Sequence, residues 1–225
     1  MVTAVLDFIK VLTVTFIALF PIVNPIGTAP IFLSLTKRYP ESIQKILARK
    51  IAAYGLVILI VSLLVGSEIL AALGVRLFVV QLAGGLVVAA TGWSLLNQPE
   101  EPPGQEEPAT LEDALEHAFF PLTLPLTVGP GCISIVITLG AHLRHQIGPG
   151  FDHGYPRRFL AALAAMFLTC VTVYFCYAKA ERLVRMLGKS GTNILMRLSA
   201  FILLVIGVQI MWNGVSAGVQ ELFPR

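Results

Sequence analysis

Charged residues are scarce in this sequence. Only 13% of its 225 residues are Asp, Glu, Lys or Arg, whereas 56% are hydrophobic and the mean hydropathy is +0.81. Soluble domains carry about 25% charged residues, so the composition excludes an ordinary soluble domain and indicates a membrane protein. The net charge is +3 and no Lys/Arg stripe alternates with aromatic residues, so we expect no nucleic-acid partner.

Cysteine is rare as well. The three cysteines, an odd number, all lie in apolar segments, which excludes an ordinary disulfide framework. No acidic or basic residue lies in the middle of a long apolar segment, which weighs against a strongly charged solute and against a dedicated proton relay. No nucleophile has an evident base or acid beside it at membrane depth, so we predict no enzyme activity, no cofactor and no bound metal.

Long uncharged runs dominate what is present. Five of six reach about 20 residues, the length of helix that crosses a ~30 Å hydrocarbon layer, and the second reaches it by extending through Glu68. We therefore predict an all-α fold, a polytopic membrane protein of one domain with six transmembrane helices. The runs are 11–36, 51–67, 77–99, 117–143, 159–178 and 198–220.

Charges in the loops predict the orientation. Ten of the sixteen Lys and Arg residues lie in the first and fifth loops or at the start of the sixth run. The positive-inside rule assigns that side to the cytoplasm, so both termini are expected outside it. The third loop, about 98–115, is rich in Pro and acidic residues and is predicted to be a tether that ends in a short helix from about Leu111.

One proline-rich stretch occurs twice. Residues 20–33 and 120–133 share a Phe and three Pro residues at an offset of 100, and Leu73-Gly74 parallels Leu187-Gly188. We predict two repeats, about 5–97 and about 116–220. Three spans per repeat is an odd number, so the second repeat enters the membrane from the opposite side, which makes these two inverted three-helix repeats.

Proline and glycine at membrane depth predict a central site. Each proline leaves a carbonyl without its helical donor, and glycine lets a ligand approach the backbone. Broken membrane helices line protected cavities, and their ends suit the ammonium and carboxylate groups of a small zwitterion. Kinks that merely bend packed helices are the alternative. The predicted substrate-binding residues are Asn24, Pro25, Gly27, Thr28, Pro30, Thr123, Pro125, Thr127, Gly129, Pro130 and Gly131.

The same stretches resemble a known family. Asn24 to Gly27 with Pro30, and Pro121 to Gly131, are similar to the two signature stretches of the MarC family of bacterial inner-membrane proteins, and the resemblance covers essentially the whole chain. It implies a six-span protein of the neutral amino acid transporter class, related to the LysE exporter superfamily. The loop charges, independently of the resemblance, predict that both termini are periplasmic. One position departs from the family pattern. Gln81 stands where the family usually has Arg, whereas Arg197, the corresponding residue of the second repeat, is kept.

We therefore predict an inner-membrane transporter of small neutral amino acids or similar small metabolites, with two repeats rocking around the site. Its expected partners are that neutral solute and the lipid bilayer, while a coupling cation and a homo-oligomer stay open. One alternative is a divalent-metal exporter that uses a polar loop. The loop residues concerned are His142, His145, Asp152 and His153. Another is a non-transporting membrane protein linked to drug resistance.

Overall fold

The computed structural model describes residues 2–97, 111–145 and 155–223, and every element assigned within these ranges is helical. The helices are α1 (Val2–Val23), α2 (Pro25–Thr36), α3 (Glu41–Ala72), α4 (Leu77–Leu96), α5 (Leu111–Phe119), a π-helical turn (Leu122–Thr127), α6 (Pro130–His145), α7 (Tyr155–Ala178) and α8 (Ala180–Leu222). The predicted all-α class is confirmed for the described ranges. The short helix expected from about Leu111 is α5.

Five helical segments are long and apolar enough to cross a membrane. They are Ala4–Thr36, Glu41–Ala72, Leu77–Leu96, Tyr155–Ala178 and Ser190–Glu221. Large apolar side chains on their outer faces, such as Ile17, Phe167 and Trp212, are more than half exposed. Apolar surface of this kind is at home in hydrocarbon rather than in water. The chain is a multi-pass integral membrane protein.

The fourth predicted span does not form one helix. Run 117–143 is divided among α5, the π-helical turn and α6, and its apolar helix Pro130–Leu143 is shorter than a straight span of about 20 residues. Prolines at 121, 125 and 130 interrupt it, because each removes a helical donor. A sixth crossing through this interrupted segment stays a prediction.

Two matched glycines bend the chain. Gly74, between α3 and α4, has φ 67°, and Gly188, inside α8, has φ 65° and ψ 177°. Positive φ values favour glycine because it lacks a Cβ atom. Helix α8 begins at Ala180, well before the predicted run 198–220, and Arg182, Arg185 and Lys189 of the predicted fifth loop lie in its first turns. The Leu-Gly pairs that match in the sequence mark the same kind of bend in the structure.

Most helix packing joins the two halves of the chain. Helices α4 and α8 run in backbone contact: a Cβ atom built on Gly85 would lie 2.7 Å from the Gly207 carbonyl oxygen, and one on Gly92 would lie 2.8 Å from that of Ala200. The other main contacts join α1 to α7, α2 to α8, α3 to both α6 and α7, and α4 to α6. The two halves are therefore interlocked in this conformation, and the predicted rocking of one repeat against the other stays a prediction.

Candidate solute site between two helix breaks

The first break separates α1 from α2. Asn24 stands in the left-handed region, with φ 48° and ψ 52°, and Pro25 begins α2, where its missing N–H costs no helical hydrogen bond. The Asn24 side-chain oxygen caps α2 by accepting a hydrogen bond of 3.2 Å from the main-chain N–H of Gly27. The Asn24 carbonyl accepts two bonds of 2.9 Å from Thr28, one from its N–H and one from its hydroxyl. The Asn24 N–H also donates a bond of 2.8 Å to the Phe20 carbonyl of α1, so Asn24 holds both sides of the break.

The second break is longer. After the cis peptide Phe120-Pro121 comes the π-helical turn, which is extended at Leu124, and α6 then begins at Pro130. Inside the turn the Thr127 hydroxyl donates a bond of 2.7 Å to the Leu122 carbonyl. Pro25 and Pro130 occupy the same place at the start of a helix. The two helix starts are therefore 105 residues apart, whereas the repeated stretches align in sequence at an offset of 100.

A tyrosine of α7 connects the two breaks. The Tyr177 hydroxyl donates a hydrogen bond of 3.0 Å to the Thr28 hydroxyl and lies 2.9 Å from the Thr127 hydroxyl. The three side chains are at most 4% exposed, and the Tyr177 ring stacks on Phe32 of α2 with centroids 4.5 Å apart. We call Thr28, Tyr177 and Thr127 the hydroxyl row. Sequence reasoning missed Tyr177, since a tyrosine in an uncharged run resembles any core residue.

A small cavity of about 70 Å³ adjoins the hydroxyl row. Its lining residues, none of them charged, are Ile22, Thr28, Val87, Val88, Thr91, Leu95, Leu126, Thr127, Gly129, Pro130, Gly131, Cys132 and Leu203. Pockets for drug-sized ligands measure about 300–1,000 Å³, whereas one water occupies about 30 Å³ in the liquid. In this conformation the cavity suits a solute of a few non-hydrogen atoms.

An ion cluster joins two helices at one end of the molecule. The Asp7 carboxylate, near the start of α1, accepts bonds of 3.1 Å from Arg157 and 2.8 Å from Arg158, at the start of α7. About a quarter to a third of each of these side chains is exposed. This first ion cluster ties the outer part of the first broken helix to the second half of the chain.

A second ion cluster lies at the other end of the molecule. Asp7 lies near the beginning of the span Ala4–Thr36, whereas Arg38, which belongs to this second cluster, directly follows the end of that span. The Arg38 guanidinium lies 3.0 Å from the Asp113 carboxylate of α5, and the Tyr39 hydroxyl donates a bond of 2.7 Å to the same carboxylate. Burial, together with this bond, raises the pKa of the Tyr39 phenol. The second ion cluster ties the start of the second broken helix to the first half.

Comparison with known proteins identifies the family. The model of the MarC family of integral membrane proteins matches residues 9–219. The chain belongs to the MarC family. The inner membrane protein MarC of Salmonella typhimurium is 29% identical over 218 residues, which cover 93% of this chain and 96% of the relative. The membrane protein YvbG of Bacillus subtilis is 31% identical over 212 residues, 93% of this chain and 94% of the relative.

A membrane protein of Methanocaldococcus jannaschii is also similar, being 31% identical over 201 residues, or 89% of this chain and 93% of the relative. These descriptions name membrane proteins and no reaction. No solved structure matches the chain.

The structure distributes the predicted site residues of this MarC-family chain among three places. Five line the cavity: Thr28, Thr127, Gly129, Pro130 and Gly131. Three form the first break: Asn24, Pro25 and Gly27. Three lie in or beside the broken helices: Pro30 inside α2, Pro125 in the π-helical turn, and Thr123, whose hydroxyl donates a bond of 2.7 Å to the Ala118 carbonyl. The two breaks that carry them meet at the hydroxyl row.

Gln81, where the family resemblance leads us to expect Arg, lies on α4. Its side-chain amide donates a hydrogen bond of 3.2 Å to the Thr138 hydroxyl of α6. In this chain the position therefore joins two helices through a neutral bond.

The alternative metal site falls largely outside the described residues. Asp152 and His153 lie there, as does the side chain of His145, while His142 is exposed and places Nδ1 3.0 Å from the Thr138 carbonyl oxygen. Within the described ranges no group of three His, Cys, Asp or Glu side chains is placed to hold a metal ion.

Proposed function

We propose that this MarC-family protein carries small neutral amino acids, or similarly small neutral metabolites, across the bacterial inner membrane. The observation that carries the proposal is the uncharged cavity at which two broken helices, one from each half, are linked by the hydroxyl row. Interrupted helices that meet at membrane depth are the usual framework of a carrier site. Inner-membrane relatives support the location.

The proposal includes six crossings in two inverted repeats. Exchanging α1 with α5, α2 with α6, α3 with α7 and α4 with α8 maps the main contacts between the halves onto one another. The contact of α1 with α7 becomes that of α5 with α3, and the contact of α2 with α8 becomes that of α6 with α4. The positive φ values of Gly74 and Gly188 also correspond. These correspondences support an inverted repeat that runs through the interrupted fourth segment.

The cavity favours a small solute without net charge. Its walls offer hydroxyl groups and apolar surface but no side-chain counter-ion. An unpaired charge at the centre of a membrane helix costs about 2.5–3.5 kcal/mol on insertion scales, which a zwitterion avoids by pairing each pole with nearby dipoles. The volume of about 70 Å³ is also far from that of a drug pocket.

Alternating access would come from the two breaks. Both ion clusters are formed at once, and in our mechanism this conformation is the one closed at both ends. In our mechanism α1 swings about Asn24 when the first ion cluster opens, and α5 swings about the π-helical turn when the second opens. The interlocked helices α3, α4, α7 and α8 stay in place. Hinges at helix ends are typical of such motions.

Flux into liposomes tests the proposal. Purified protein should take up radiolabelled small neutral amino acids above empty liposomes, and imposed H⁺ or Na⁺ gradients should reveal whether a coupling cation is used. Thr28→Val and Thr127→Val should reduce flux, whereas Thr36→Val, which removes another buried hydroxyl bonded to its own helix, should not. Absence of flux for every amino acid of the panel, with folded protein in the bilayer, would refute the carrier.

The proposed orientation, with both termini periplasmic, rests on loop charge. Fusions of alkaline phosphatase and of green fluorescent protein at the C-terminus test it directly. An active phosphatase fusion and a dark fluorescent one agree with the proposal, and the reverse result contradicts it.

A further inference from the structure

The hydrogens of the hydroxyl row are committed inside the protein. Thr28 donates to the Asn24 carbonyl at 2.9 Å, Thr127 to the Leu122 carbonyl at 2.7 Å, and Tyr177 to the Thr28 hydroxyl at 3.0 Å. A hydroxyl group has one hydrogen and two lone pairs. Thr28 and Thr127, which both line the cavity, therefore offer it acceptor lone pairs and no donor.

The hydroxyl row is also short of one hydrogen. Four oxygen–oxygen contacts, of 2.7 to 3.0 Å, lead from the Asn24 carbonyl through three hydroxyl groups to the Leu122 carbonyl. Three hydrogens serve these four contacts, so one contact sets lone pair against lone pair. The Tyr177 hydroxyl has a single hydrogen for its two neighbours, Thr28 and Thr127. Burial strengthens the resulting negative potential, because little water screens it.

We infer that the hydroxyl row is a subsite for the primary ammonium group of the solute. An ammonium group has three N–H donors and no acceptor, which complements a wall of lone pairs. The Thr28 and Thr127 oxygens are less than about 6 Å apart, since each lies within 3.0 Å of the Tyr177 oxygen. That separation is short enough for one nitrogen placed between the two oxygens to lie at the usual ~2.9 Å from both.

The start of α6 provides the complementary pole. Gly131 and Cys132 line the same cavity as the second and third residues of α6, after Pro130. The first N–H groups of a helix have no partner within it and form the positive end of its dipole. A carboxylate at α6 and an ammonium at the hydroxyl row give an α-amino acid one defined orientation. The inference deepens the proposed function, on which its choice of solute rests.

Equilibrium binding tests the subsite without requiring transport. Titration calorimetry on the purified full chain would compare L-alanine with propionate, which lacks the ammonium group, and with ethylamine, which lacks the carboxylate. We expect ethylamine to bind measurably and propionate to bind about ten- to a hundredfold more weakly than L-alanine, because bonds to a charged donor are lost. Equal affinities for L-alanine and propionate would overturn the inference. A second result would also overturn it: binding of NaCl but not of choline chloride, together with no binding of ethylamine, because the site would then bind Na⁺ rather than an ammonium group.

Tyr177→Phe separates a binding site from a structural clamp. The variant keeps the ring that stacks on Phe32. It leaves the hydroxyl groups of Thr28 and Thr127, each of which still donates its hydrogen to a main-chain carbonyl. We expect the ligand-free melting temperature to stay equal or rise, while the Kd for L-alanine increases about tenfold or more. A lower melting temperature with unchanged affinity would identify a clamp and overturn the inference.

Binding and flux also distinguish this inference from the proposed function. Selective binding of amines without uptake into liposomes would refute the carrier and keep the subsite. Uptake that does not distinguish L-alanine from propionate would refute the subsite and keep the carrier.

Discussion

The two ion clusters lead to a prediction with opposite outcomes at the two membrane faces. Asp7→Ala removes two arginine contacts at 3.1 and 2.8 Å between partly buried side chains. Exposed ion pairs contribute up to about 1 kcal/mol and hydrogen bonds to charged groups about 1.5–3 kcal/mol, so we assign about 1 kcal/mol to each contact. A loss of about 2 kcal/mol would raise the population open at that end about 30-fold.

The native Cys132 reports this opening. It lines the cavity, is 1% exposed, and is therefore closed to a bulky membrane-impermeant maleimide in the present conformation. In a background without Cys170 and Cys176, Asp7→Ala should speed labelling from the Asp7 side of oriented vesicles. Asp113→Ala should speed it from the opposite side. Glu41→Ala, which breaks an exposed pair within α3, is the control and should change neither rate. Faster labelling from the same side in both Asp variants would refute two-ended gating.

Three further predictions concern packing and capping. Gly207→Ala should lower the free energy of unfolding by about 1–3 kcal/mol in detergent melts, because its Cβ would lie 2.3 Å from a backbone nitrogen of α4. Gly191→Ala is the control: its Cβ would meet only a side chain, so the free energy of unfolding should change little. Gly131→Ala should abolish solute binding, since its Cβ would lie 2.1 Å from Val88, and adding Val88→Ala should restore it. Asn24→Ala should cost about 1 kcal/mol in the same melts and Asn24→Gly only a few tenths; equal costs would argue against the cap.

Much of the architecture could be predicted because its signals are local in sequence. Uncharged runs mark spans, prolines mark breaks, and the Leu-Gly pairs at 73–74 and 187–188 mark bends. The fourth span was harder. Three prolines within ten residues do not kink one helix but divide it into α5, a π-helical turn and α6, and the sequence pattern does not show where the helix starts again.

The candidate site was predictable only in part, because its decisive contacts are distant in sequence. Thr28 and Thr127 stood out since they flank prolines, whereas Tyr177 lies 50 residues from Thr127 and 149 from Thr28. A tyrosine in an apolar run carries no local sign of a polar role. Asp7 and Asp113 likewise acquire a role only through arginines on the other half of the chain.

The correspondence between the halves extends to the ion clusters but not to the hydroxyl row. Asp7 and Asp113 are 106 residues apart, close to the 105 that separate the helix starts at Pro25 and Pro130, and each binds an arginine of the opposite half. Two similar ion clusters, one at each end, suit a carrier in which opening either end requires a similar free energy. The third hydroxyl of the row, in contrast, comes from α7, in the second half alone. A symmetric binding site would accept a zwitterion in two opposed orientations. In the proposed carrier this asymmetry would select one orientation, so the solute would keep its ammonium at the same place whichever end opens.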